Sequence, residues 1–169
     1  MKLAAAVIIA GTLLSIGFCM ETSRKETAKQ LQELIRFLLF AGQEIEMRGS
    51  ILEDVFTKAS SITQGATKEL VSRMAKRMAE GGDFLQEWSH AVNEVYRKMG
   101  WNEQEEELIL HCASDFLLFE RKMVKEQLFF DANQLSQLYE KRITKLGNEC
   151  KLCRVLSFCA AAFLLILLW

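Results

Sequence analysis

The chain has 169 residues, room for one domain, and half of its side chains are hydrophobic. Its 21 basic and 22 acidic residues leave a formal net charge of −1, which argues against nucleic acid as a partner. All but two of the charges lie in the middle of the chain, leaving an apolar run at each end.

The first run, Leu3 to Met20, is 18 residues without a charged side chain, LAAAVIIAGTLLSIGFCM. As a helix it reaches about 27 Å, close to the hydrocarbon thickness of a bilayer. Residues 1–20 therefore read as an N-terminal transmembrane helix. The competing reading is a cleaved signal peptide that releases a secreted helical domain, with Lys2 as its positive start. Residues 16–20 offer no A-x-A site, and Phe18 stands where lipid modification of Cys19 would want a small residue. An uncleaved anchor fits better.

Leu31, Leu34, Ile35, Leu38 and Leu39 then repeat at three and four, the stripe of an amphipathic helix. Gly49-Ser50 reads as a stop and restart. Ser50 and Glu53 have capping-box spacing, and Ile51, Leu52, Val55, Phe56 and Ala59 form the next buried stripe. Residues 60–67 are small and polar, a connection. A third helix carries Leu70, Val71, Met74, Ala75 and Met78 and ends at Gly81-Gly82. Asp83 and Gln86 cap a fourth, with Leu85, Trp88, Val92, Val95, Tyr96 and Met99 inward and Gly100 at its close. Asn102 and Glu105 cap a fifth, whose acidic first turn suits the helix dipole.

From Leu108 to Leu146 no strong breaker appears. Apolar positions recur at Leu108, Ile109, Cys112, Phe116, Phe119, Met123, Val124 and Leu128, then Leu135, Leu138, Ile143 and Leu146. A turn is expected either near Phe116-Phe119 or near Phe130-Asp131. Gly147-Asn148 is the last soft spot before the second run, Val155 to Trp169, 15 uncharged residues. At about 22 Å that run is short for a span, but Arg154 can snorkel to the headgroups. The expected fold is all-α. A bundle of five to six helices over 21–152 is flanked by the first span and by a C-terminal transmembrane helix over 153–169.

Arg24, Lys25, Lys29 and Arg36 follow the first run, and Lys141, Arg142, Lys145 and Lys151 precede the second. By the positive-inside rule the bundle faces the cytoplasm, and the chain crosses the membrane twice. The five cysteines are then expected to be reduced thiols.

Little in the pattern points to chemistry. Cys150 and Cys153 supply two ligands where a structural zinc wants four, and they do not follow a strand as a redox pair would. His111 and Cys112 are adjacent on a helix and so point about 100° apart. Cys112 lies on the apolar stripe and reads as a core thiol, while His90 lies beside Trp88 on the fourth helix. Glu105-Glu106-Glu107 lack a calcium loop and read as a solvated first turn. Gly81-Gly82-Asp83 has no preceding strand to make a phosphate loop. No catalytic, cofactor-binding or metal-ligating residue is assigned, and neither a cofactor nor a small-molecule substrate is expected. An enzyme would need converging titratable groups, with His90 and His111 the only starting point.

The layout resembles the stage III sporulation protein AB family of endospore-forming bacteria. The likeness rests on the exit helix ending LLFAGQEIEMRGS and followed by ILEDVF, on Phe84-Leu-Gln-Glu-Trp88-Ser-His-Ala-Val92, and on the closing run Arg154 to Trp169. Residues 116–120, Phe-Leu-Leu-Phe-Glu, lack the glycines that family tends to carry there, and the usual proline after Ser50 is missing. The resemblance implies a non-catalytic platform in a secretion-like channel between mother cell and forespore. Such a platform would dock a cytoplasmic ATPase on one side and membrane components of the same complex on the other. Self-association stays open.

Overall fold

The computed structural model describes the backbone of residues 26–168, and side chains there except at 96–99, 146, 148–154 and 156–168. Six helices occur in the described residues, with no strand: α1 (26–48), α2 (Leu52–Ile62), α3 (Gly65–Ala79), α4 (Phe84–Met99), α5 (Glu103–Asp115) and α6 (Arg121–Leu168). Lys29–Tyr139 form one compact unit, a helical bundle. The second unit takes in both chain ends; its described part is residues 26–28 and α6 from Glu140 onward. Among the described residues no helix is long and apolar enough to cross a membrane. The expected span over 1–20 lies outside them, and at 153–168 the backbone is helical.

The bundle closes on an aromatic cluster supplied by three helices and a loop. Phe56 of α2 lies with its ring centroid 5.3 Å from Phe37 of α1, 5.9 Å from Phe84 and 6.0 Å from Trp88 of α4, and 5.6 Å from Phe116 after α5. These separations and tilts are those that aromatic pairs favour. Trp88 is fully enclosed, and its Nε1–H donates to the Ile109 carbonyl at 2.9 Å, so burying the indole strands no donor. Around the cluster, Leu31, Leu34, Leu38 and Ala41 of α1 and Leu70, Val71 and Met74 of α3 are buried, as the three-and-four spacing predicts.

Helix ends follow local chemistry, with some departures from expectation. Asn102 and Glu105 form the full capping box of α5: Glu105 N–H donates to Asn102 Oδ1 at 2.8 Å, and Asn102 N–H to Glu105 Oε2 at 2.9 Å. Glu105 is therefore buried and not solvated with its two neighbours. Asp83 Oδ1 accepts from Gln86 N–H at 3.0 Å, as expected for α4. Ser50 does not cap α2. The N-cap is Ile51, without a side-chain bond, and Ser50 turns back to Glu44 instead. α3 ends with Gly82 N–H on the Arg77 carbonyl and Gly81 N–H on that of Met78, both at 3.0 Å. That pattern requires the left-handed Gly81, φ 82°.

The connection expected over 60–67 shrinks to Thr63-Gln64, because α3 begins at Gly65. Gly65 has φ 59°, and the Gln30 amide fills the space its side chain would need. Gln30 Oε1 accepts from Ala66 N–H at 2.9 Å, tying α3's start to α1. On α1, Gly42 lets α6 approach closely: a Cβ there would lie 3.3 Å from Lys125 Cα. Lys125 Nζ pairs with Glu46 2.6 Å away. Of the two turns considered in the long C-terminal region, the chain breaks at 116–120, and Phe130-Asp131 lies inside α6.

Several residues expected in the core are not there. Ile51, Leu85, Phe119, Met123 and Ile143 are exposed, Phe119 completely. The inward position at the start of α4 falls to Phe84, one residue before Leu85. Phe119 belongs to the α5–α6 loop, where helical spacing has no meaning.

Candidate functional site: a buried acid pair and an apolar cleft

Two carboxylates meet inside the bundle. Asp115 closes α5, and Asp131 sits about three turns into α6, between Leu128 and Leu135 on its buried stripe. Asp115 is 6% and Asp131 1% exposed, and the Oδ2 of each lacks a hydrogen-bond partner. His111, one turn before Asp115 on the same face, brings Nδ1 to 3.4 Å from Asp115 Oδ2 while its ring stays open to solvent. One ligand-type atom from each of His111, Asp115 and Asp131 falls within 4.8 Å of the others.

Burial, then the Asp115 carboxyl beside it, push Asp131 up from 3.8 to about 6. Cys112 lies fully buried near the pair, with Sγ 3.1 Å from the Leu108 carbonyl. Burial and the two acids raise its thiol well above the usual value, so it is an inert core thiol, as its place on the stripe predicts.

A second feature lies where the α1–α2 turn meets the α5–α6 loop. A cleft of about 490 Å³ is lined by Ile45, Leu52, Met78, Phe116, Leu118 and Val124, with Ile51, Glu53 and Arg121 among its polar and exposed edges. The Arg121 guanidinium occupies the space a side chain on Gly49 would need. Leu117 and Phe119 on the same loop, and Met123 just after it, are exposed.

Of the residues that the sequence singled out, His111 joins the acid pair and His90 is an exposed residue of α4 outside it. Cys150 and Cys153 have helical backbone, and their side chains lie outside the described residues. Sequence reasoning missed both aspartates. The available signals were an acid on the Leu128–Leu135 stripe and the i, i+4 spacing of His111 and Asp115.

A family model for stage III sporulation protein AB matches residues 2–169. The chain belongs to that family. Its fold is also similar to a solved structure of stage III sporulation protein AB, with a TM-score of 0.66 at 14% identity, covering 72% of this chain and 97% of that one. At that identity the likeness concerns the fold. No curated protein matches the sequence. Membership makes this a sporulation protein, and its all-helical architecture agrees with the solved relative.

Proposed function

We propose that this member of the stage III sporulation protein AB family is a membrane-anchored, non-catalytic platform of a secretion-like channel between mother cell and forespore. Its bundle, residues 21–152, docks a cytoplasmic ATPase and holds it against membrane partners. The uncharged segments at 1–20 and 153–169 anchor it, with the basic flanks keeping the bundle on the mother-cell cytoplasmic side.

The observation that carries this reading is the exposed apolar loop Leu117–Phe119 on the edge of the 490 Å³ cleft. A fully exposed Phe beside Leu and Met on a family-wide sporulation domain is the kind of surface a protein partner covers. Family membership supplies the process, and the sporulation ATPase is the occupant to which this reading commits. Deleting the gene should abolish spore formation. Restoring it with Cys150→Ser/Cys153→Ser should recover sporulation, whereas Phe119→Glu, which changes only an exposed side chain, should not. Normal sporulation with accumulated Phe119→Glu protein would remove this loop from the docking surface.

A further inference from the structure

We infer that His111, Asp115 and Asp131 form a binding site for one divalent cation of the zinc class, bridging the end of α5 to α6. The site is more than a group of acids. Two of its members are more than nine-tenths buried, and each keeps an Oδ2 that no hydrogen bond satisfies. Leaving a buried carboxylate oxygen unpaired is unfavourable, and a cation between the two would satisfy both at once where an ionised pair otherwise repels.

The geometry suits such an ion. His111 and Asp115 stand one helical turn apart, the spacing that places two ligands on one face of a helix. Their ligand atoms are 3.4 Å apart without hydrogen-bond alignment. Two ligands bound tetrahedrally at about 2.05 Å would be about 3.4 Å apart. Asp131 comes from the facing helix to give a third ligand, all three within 4.8 Å. A water completes the set.

One imidazole nitrogen with two carboxylate oxygens favours zinc-class ions over calcium or magnesium, which take larger all-oxygen shells. Two aspartates and a neutral histidine also balance the double charge of the cation. No lysine or arginine is paired with either acid among the described residues. The half-open His111 ring, with 63% of its side chain exposed, provides the way in from solvent. Cys112, whose Sγ lies 3.1 Å from the Leu108 carbonyl and which also hydrogen-bonds Asp131, is a neighbour of the site and not one of its three ligands. A bound ion pins the last turn of α5 to α6 and so fixes the α5 end of the loop that displays Phe119.

The test uses the full chain purified in detergent and stripped with a chelator. Zn²⁺ binding is measured by equilibrium dialysis with metal analysis, and the ligand field is read from the visible absorption of the Co²⁺ form. Wild type should take up one equivalent of Zn²⁺, and its Co²⁺ form should lack thiolate charge-transfer bands. His111→Ala should weaken binding by at least about tenfold, and Asp131→Asn by about a hundredfold. Cys150→Ser/Cys153→Ser should bind as wild type does. His111→Ala alters an exposed residue, so it decides the matter even if an aspartate variant fails to fold. Absence of saturable binding, binding unchanged in His111→Ala, or binding lost with the cysteine pair each overturns the site.

Discussion

Asp115 and Asp131 approach one another from successive helices, both almost wholly buried, with ligand-type oxygens less than 4.8 Å apart. Two ionised carboxylates at that distance and burial repel, so the pair holds a proton or a cation between its members. Asp131, pushed up to about 6, takes on that proton on the acid side of neutrality. Either occupant bridges α5 to α6 where the connecting loop is only residues 116–120.

Phe56 is the hub of the aromatic cluster, touching Phe37, Phe84, Trp88 and Phe116. Phe56→Ala should lower the unfolding free energy by about 3–5 kcal/mol, because four rings cannot all collapse into the space left. Chemical denaturation of the full chain in detergent, followed by tryptophan emission, checks this.

Two of the three caps predicted from sequence make opposite forecasts. Asn102→Ala removes one arm of a complete capping box and should cost about 1 kcal/mol. Ser50→Ala removes no cap, only long contacts of 3.5 Å to Glu44 and 3.3 Å from Lys58, and should stay within about 0.5 kcal/mol. Thermal melts of the two variants side by side distinguish them.

Glu44 supplies a pH-dependent contribution. The Lys58 ammonium bonded to it, with Arg48 and Ser50, holds its carboxyl below the usual range. A group with a depressed folded pKa favours the folded state above its unfolded value, 4.5, and loses that contribution as pH falls through the folded value. Lys58→Gln should therefore destabilise the bundle at pH 7 and converge with wild type at acid pH. Asp131 has the opposite sense, since its raised pKa favours folding on the acid side, so only the difference between variants isolates Glu44. Melting temperatures across pH 3 to about 7 give that difference, and a constant offset would contradict it.

The helices were legible because their signals are local. Three-and-four spacing, Gly81-Gly82 and the Asn102–Glu105 box each act within a turn or two, and the structure keeps all of them. Phase errors came at helix starts. Phe84 and Leu85 are equally apolar neighbours, and only the aromatic partners decide which one turns inward. Ser50 misled for a related reason: Glu44 and Lys58 draw its hydroxyl away from the backbone. The acid pair was hidden because its members lie 16 residues apart, and the turn that joins them was not fixed between 116–119 and 130–131. With the break placed at 116–120, Asp131 becomes a core position of α6 facing α5. Phe119, counted among the recurring apolar positions while that turn was left open between two places, becomes the tip of a loop.

Docking of the sporulation channel's ATPase by the membrane-anchored bundle is the proposal on which the rest depends. Its most direct measurement is affinity capture of the tagged full-length chain from membranes of sporulating cells, with the ATPase identified and quantified by mass spectrometry. The ATPase should be enriched with wild type and with Cys150→Ser/Cys153→Ser, and lost with Phe119→Glu. Recovery of intact wild-type chain from the membrane fraction without that ATPase would contradict it.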